Sequence, residues 1–183
     1  MKTLSDLSID KTWTLFLDRD GVINTHIEND YVKSWAEFEF IDGVFEALER
    51  LSLVFGTIVV VTNQQGVGKG LYSDNELNAI HGKMLAHINA NKGRIDKVYY
   101  CGSLTKENDP CRKPGNGMAL KAKNDFPSID FKKSIIAGDS LTDLQFGESL
   151  GMKKVYIHSK PKDEIKAFAD FHFATLLEMA LTI

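Results

Sequence analysis

"TLFLDRDGVIN" (residues 14–24) runs an apolar stretch straight into two aspartates, Asp18 and Asp20, with a glycine close behind. The apolar part reads as a buried strand, and its end poses a question. Ionised carboxylates are costly to bury unless something pairs with them, and two so close together also repel each other. Either the stretch ends in a solvated turn, which aspartate and glycine both favour, or the pair serves a site that holds a cation. The rest of the chain has to discriminate between these.

Working outward, apolar runs alternate with amphipathic segments. TLFLD (14–18), TIVVVTN (57–63), KVYYC (97–101), KSIIAGD (133–139) and KKVYIH (153–158) are short and β-branched or aromatic. They are nearly continuous in apolar character, as strands of a parallel sheet covered on both faces should be. Between them lie helical patterns. DGVFEALERLS places Val44, Phe45, Leu48 and Leu51 at helical spacing, and the segment from Ser73 opens with a cap signal, Ser73 followed by Glu76. GMALKAKNDF, LTDLQFGESLG and FATLLEMALTI complete the series. Strand–helix alternation predicts an α/β, Rossmann-like, doubly wound parallel sheet with right-handed crossovers. No repeat or linker interrupts it, so one domain over 1–183 is expected, without a large cap domain.

Composition narrows the partners. The 183 residues are 43% hydrophobic and 26% charged, with a formal net charge of -3, which argues against a partner held mainly through nucleic-acid phosphates. No apolar run approaches the ~20 residues that span a bilayer, and no signal-peptide stretch opens the chain. Cys101 and Cys111 are the only cysteines. Two are too few for a disulfide scaffold, and they are expected to be small buried apolar residues in a reducing, cytoplasmic protein. A monomer or small homo-oligomer acting on a small molecule is expected.

The polar residues then fall on one rim. Asp18 and Asp20 end the first strand, Thr62, Asn63 and Gln64 the second, and Asp139 the fourth, while Arg112 and Lys113 follow the third after a short loop. Ligands of open α/β sheets bind outside the carboxyl ends of the strands, and here four segments send polar groups there. Asp18, Asp20 and Asp139 suit a hard cation such as Mg²⁺. Thr62 and Lys113 can hold phosphoryl oxygens. Asp18 can attack phosphorus as a covalent nucleophile, and Asp20 can act as acid and then base. Asn63, Gln64, Arg112 and, from the 25–40 segment that would fold over the mouth as a flap, Tyr31 are candidates for substrate contact.

DRDGVIN, VTNQQGVGKG, CRKPGNGM and AGDSLTD resemble, in order, the four motifs of haloacid dehalogenase-superfamily phosphatases. More narrowly they resemble the histidinol-phosphatase and D,D-heptose 1,7-bisphosphate phosphatase branch, and YVKSWAEFEFIDGV (31–44) is especially similar to the heptose enzymes. The resemblance implies Mg²⁺ held by the Asp18 carboxylate, the Asp20 main-chain carbonyl and Asp139, and phosphate held by Thr62 and Lys113. The expected substrate is a sugar phosphate such as D-glycero-D-manno-heptose 1,7-bisphosphate. Histidinol phosphate and a polynucleotide 3′-phosphate are the alternatives. A non-enzymatic phospho-receiver is a third, but receivers lack an acid/base two residues after the acceptor.

The sequence departs from the branch in one loop. Where the branch carries Cys-x-His and Cys-x-Cys around a structural zinc, this chain has Cys101-Gly102-Ser103 and Asp109-Pro110-Cys111. A tetrahedral structural site needs four good ligands, so zinc is not expected. Lys69 reads as a solvated loop residue. His81 and His87 read as surface or interface histidines, Trp35 as mostly core and Asp143 as a helix cap.

Overall fold

The computed structural model describes residues 3–183. The expected strands form as β1 (Thr14–Leu17), β2 (Thr57–Asn63), β3 (Lys97–Cys101), β4 (Ser134–Gly138) and β5 (Lys153–Ile157), joined by β6 (Phe171–Phe173). Helices are α1 (Val44–Val54), α2 (Gln65–Gly68), α3 (Asp74–Ala90), α4 (Gly117–Asp125), α5 (Leu141–Leu150), α6 (Asp163–Phe168) and α7 (Leu176–Ala180). β6, α2 and α6 were not anticipated, because segments of three to six residues carry too few positions to display a period.

The six strands are all parallel, in the order β3-β2-β1-β4-β5-β6. The chain builds outward from β1 through β2 to β3, then returns to the other side of β1 and builds outward again. The order reverses between β1 and β4, and a crevice opens there at the strands' carboxyl ends. Alternate residues of β1 face opposite sides. Leu15 and Leu17 pack with Leu48 of α1, Met84 of α3 and Met179 of α7, whereas Phe16 packs with Met118 of α4 and Phe146 of α5. Both faces are thus covered, which explains the unbroken apolar runs.

Two cap signals do what their chemistry predicts. Ser73 Oγ accepts from Glu76 N (3.3 Å) while the Glu76 carboxylate accepts from Ser73 N (2.8 Å), fixing the start of α3. At α5, Asp143 Oδ2 accepts from Ser140 N (3.1 Å) and Ser140 Oγ (2.5 Å). No helix among the described residues is long and apolar enough to cross a membrane.

Candidate active site

The ladder between β1 and β4 continues one residue beyond β1, with Asp18 N donating to Ala137 O at 2.9 Å. The Asp18 side chain is therefore held at the sheet's rim, nearly buried. Facing it is Lys113, 3% exposed, whose Nζ lies 2.9 Å from Asp18 Oδ1 and donates to Val61 O at 2.7 Å. Lys113 also pairs with Asp143, which is fully buried. Asp143 thus caps α5 with one oxygen and anchors the lysine with the other, a second role that the cap reading missed. Asn63 clamps the strand segment carrying the lysine: its Oδ1 accepts from Lys113 N (2.9 Å) and its Nδ2 donates to Lys113 O (3.1 Å). The Lys113–Pro114 peptide is cis.

Asp139 completes the carboxylate group. It packs so closely on Gly21 that a Cβ there would overlap its carboxylate, and Gly21 also has φ +84°, which L side chains rarely adopt. Burial, then the charges of Asp18 and Asp143, push the Asp139 carboxyl up to about 8. Burial likewise pushes Asp18 up to about 7 against the pull of Lys113, with Asp143 and Asp20 adding to the rise. Lys113 is held above its ordinary range, because Asp143 and Asp18 outweigh its burial. Carboxylate oxygens of Asp18, Asp139 and Asp143 lie within 4.8 Å of one another. One lysine does not offset three carboxylates, and an all-oxygen donor set of this kind fits a hard divalent cation.

Asp20 lives differently. Oδ1 accepts from Arg19 Nη2 (2.9 Å) and Asn24 Nδ2 (2.9 Å), and Oδ2 accepts from Arg19 Nη2 (3.0 Å) and Gln64 Nε2 (2.8 Å). Burial alone would raise its carboxyl, but the Arg19 charge and these hydrogen bonds hold it below the usual carboxylate range. With its carboxylate so engaged, the main-chain carbonyl is the group Asp20 would offer to a metal. Gln64, expected to touch substrate, is instead buried behind Asp20. Its amide also donates to Thr62 Oγ1 (2.9 Å) and accepts from Tyr72 OH (2.8 Å). His81, expected at the surface or an interface, is buried within the chain, with Nε2 3.0 Å from Arg19 Nη1.

Asp18, Asp20, Thr62, Asn63, Arg112, Lys113 and Asp139 all line one cavity of ≈ 210 Å³, and His26, Ile27, Tyr31 and Val32 of the 25–40 segment cover it. Gln65 clasps that segment to the loop after β3. Its Nε2 donates to Tyr31 OH (3.1 Å) and its Oε1 accepts from Thr105 N and Oγ1 (both 2.7 Å). Lys69 is exposed but not idle: its Nζ sits 5.1 Å from the centre of the Tyr31 ring. Although burial pushes the Tyr31 phenol up, hydrogen bonds from Lys69 and Gln65 and the charges of Lys69 and Arg112 hold it below its ordinary value. Lys69 and Arg112 thus bring positive charge to Tyr31, whereas carboxylates crowd the floor. Trp35 stays away from the cavity, stacked on Phe38 at 5.0 Å.

The cysteine expectation is corrected. Cys101 and Cys111 are joined in a disulfide, because the end of β3 and the segment before Lys113 run side by side, with Cα atoms 5.6 Å apart. Ser103 and Asp109 meet beside them, Ser103 Oγ donating to Asp109 Oδ2 at 2.7 Å. All four positions of the branch's metal loop converge, but sulfurs bonded to each other offer no thiolate to a zinc ion.

Residues 14–183 match the family described as "Polynucleotide kinase 3 phosphatase". The D-glycero-alpha-D-manno-heptose-1,7-bisphosphate 7-phosphatase of Campylobacter jejuni is 38% identical over 161 residues, 88% of this chain and 91% of that protein. The chain belongs to the haloacid dehalogenase superfamily of phosphatases, polynucleotide kinase 3 phosphatase family. Among other members of this superfamily, the D-glycero-beta-D-manno-heptose-1,7-bisphosphate 7-phosphatase of Vibrio cholerae is 38% identical over 146 residues, 75% of this chain and 76% of that one. The D,D-heptose 1,7-bisphosphate phosphatase from B. bronchiseptica, solved with magnesium and phosphate, superposes with a TM-score of 0.83. It is 29% identical, with 92% of this chain and 96% of that one covered. The phosphatase family and the fold anticipated from sequence therefore hold. What sequence reading missed is the supporting layer of Arg19, Tyr72, His81 and Gln65. A hint lay in Arg19, a cation placed between two aspartates at a buried strand end.

Proposed function

We propose that this phosphatase removes the 7-phosphate of D-glycero-D-manno-heptose 1,7-bisphosphate, with Asp18 as nucleophile, Asp20 as acid/base and Mg²⁺ as cofactor. The observation that carries the reading is the pairing of a buried, lysine-faced carboxylate (Asp18) with a fully hydrogen-bonded one (Asp20) on the floor of one sugar-sized cavity. The names of the relatives support the substrate.

In the first half-reaction Asp20, ionised at rest, takes up a proton from solvent as the substrate binds. An Asp18 oxygen then bonds to phosphorus as the bond from phosphorus to the sugar oxygen breaks, and Asp20 passes that proton to the departing oxygen. In the second, Asp20 takes a proton from water, whose oxygen attacks phosphorus, and inorganic phosphate leaves as the Asp18 carboxylate returns. Thr62 Oγ1 accepts from Gln64, so its own hydrogen is available to a phosphoryl oxygen. Lys113 holds negative charge on the phosphoryl group through the transition state. Mg²⁺ held by Asp18, Asp139 and the Asp20 carbonyl would supply the positive charge that lets a carboxylate approach a phosphate dianion. Arg112, at the mouth, suits the second phosphate, since a guanidinium fork matches such a group. The flap and the 102–112 loop select the sugar between them.

A phosphorylated sugar does not cross a bilayer unaided, which favours a cytoplasmic enzyme, although a disulfide is unusual there. The test is phosphate release with Mg²⁺ from heptose 1,7-bisphosphate, histidinol phosphate and a 3′-phosphorylated oligonucleotide. Preference for the heptose ester by kcat/KM is the expected result, and preference for the oligonucleotide would overturn the reading.

A further inference from the structure

Arg19 is fully buried. A guanidinium carries five N–H donors and no acceptor, so burying it demands acceptors on every side. Asp20 takes up one edge through Nη2 and, at 3.3 Å, Nε. On the other edge Nη1 meets His81 Nε2 at 3.0 Å. Because Arg19 can only donate, this ring nitrogen must be the acceptor, which makes His81 neutral with its hydrogen on Nδ1. The Phe38 ring, 5.9 Å from the guanidinium carbon, fills a further side.

A parallel arm reaches Asp20 Oδ2, which Arg19 Nη2 also contacts. Gln64 Nε2 donates to Asp20 Oδ2 only while the amide's oxygen faces away, and Tyr72 OH, donating to that oxygen at 2.8 Å, fixes the orientation. His81 belongs to α3 and Tyr72 to the turn preceding it. One helix and its lead-in thereby back two of the three residues that donate to Asp20, Arg19 and Gln64 but not Asn24, and neither His81 nor Tyr72 lines the cavity.

We infer that His81, acting through Arg19, and Tyr72, acting through Gln64, are positioning residues that hold the Asp20 carboxyl at the angle needed to protonate the departing sugar oxygen. The inference rests on the acid/base role proposed for Asp20. Without an acceptor at position 81, Arg19 must turn toward water or another oxygen, and its grip on Asp20 turns with it. Without the hydroxyl at position 72, the Gln64 amide can flip and present its oxygen to the carboxylate.

The test uses leaving groups of different basicity. A sugar alkoxide needs a proton to depart, whereas p-nitrophenolate does not, and kcat/KM reports only the steps through phosphoryl transfer. Full-length wild type, Asp20→Asn, His81→Leu, His81→Gln and Tyr72→Phe are assayed with Mg²⁺ on heptose 1,7-bisphosphate and on p-nitrophenyl phosphate, with thermal unfolding alongside. His81→Leu should lose about tenfold in kcat/KM on the sugar ester, a fraction of the 10²–10⁴ attributable to the acid itself, and change little on the aryl ester. Tyr72→Phe should show the same asymmetry more weakly. His81→Gln, whose side-chain oxygen can accept from Arg19, should recover most of the loss. Equal losses on both esters, or none on either, in His81→Leu and Tyr72→Phe would overturn the inference while Asp20→Asn still shows the asymmetry. Failure of Asp20→Asn to show it would overturn the acid role and the inference with it.

Discussion

Asp18 and Asp20 are two residues apart and share a cavity, yet their surroundings are opposites. Asp18 faces Asp139 and Asp143 with a single lysine between them, and its carboxyl is pushed up. Asp20 faces only donors, from Arg19, Asn24 and Gln64, and its carboxyl is pulled down. Environments that separate the titration of two neighbouring acids are how one site assigns them different work. The first is a carboxylate short of positive charge, as a nucleophile awaiting a cation and a phosphoryl group should be. The second is a carboxylate fixed in space by its donors and ionised at rest, so in the acid role proposed for it a proton must reach it before the ester bond breaks.

The contrast breaks most visibly at Asp18, the proposed nucleophile. Asp18→Asn should lower kcat by ~10⁴-fold or more, the order reached when a covalent nucleophile is removed, and no acid-stable, base-labile phospho-protein should form on mixing with substrate. Stability should move the other way. Removing one of three crowded carboxylates relieves repulsion, while Lys113 keeps Asp143, so the Mg²⁺-free variant should melt no lower than wild type. A lower Tm would mean that the Lys113–Asp18 pair outweighs the crowding.

Asp20→Asn should reverse that pattern. Its kcat on the sugar ester should fall by about 10²–10⁴-fold. Arg19 would be left buried without a counter-charge, which for a broken buried pair costs roughly 3–5 kcal/mol, so its Tm should drop clearly. Denaturant unfolding of the two variants side by side checks this. If both lose equal stability, the two surroundings are not the opposites described.

Much of this was legible in the sequence because it lies at the ends of long apolar strands. β1, β2 and β4 are recognisable runs, and the residues at or just past the carboxyl end of a buried strand in a parallel sheet must sit at the rim, so Asp18, Thr62 and Asp139 could be placed without coordinates. The supporting layer could not. Whether Gln64 faces the cavity or Asp20 depends on one side-chain rotation and on a hydroxyl eight residues away. His81 occupies an α3 face that periodicity marks only weakly, since the helix mixes polar residues into its buried stripe. The Cys101–Cys111 bond required knowing that a ten-residue excursion returns to its starting point. Strand–helix patterns carry no information of that kind.

Arg112 sharpens the comparison by standing outside it. Among the described residues its guanidinium makes one hydrogen bond, Nη1 to Ser103 O at 3.5 Å, at the margin of such a bond, and it touches neither aspartate. Arg112→Ala should therefore raise KM about tenfold for a bisphosphorylated sugar, the order of one charge-assisted hydrogen bond, and leave kcat nearly unchanged. A monophosphorylated sugar should show little change in either constant. Equal KM increases for both sugars would remove the second-phosphate role and leave the chemistry at Asp18 and Asp20 untouched.

The smallest effect on catalysis should come from the disulfide. It ties the end of β3 to the residue just before Arg112, but Lys113 does not depend on it. Asn63 clamps both sides of the Lys113 main chain, and Asp18, Asp143 and Val61 O hold its ammonium. Opening the bond should thus loosen the arginine and spare the lysine. In Cys101→Ser/Cys111→Ser, stability should fall by about 2–3 kcal/mol, the loop-closure value for a separation of ten. KM for the bisphosphate should rise two- to threefold, about a third of the Arg112→Ala effect, with kcat within a factor of two. Adding dithiothreitol to the wild type should reproduce the KM change and should do nothing further to the double variant. A fall in kcat of about tenfold or more would show that the bond, rather than Asn63, aims the lysine, and the separation between a rigid floor and an adjustable mouth would then fail.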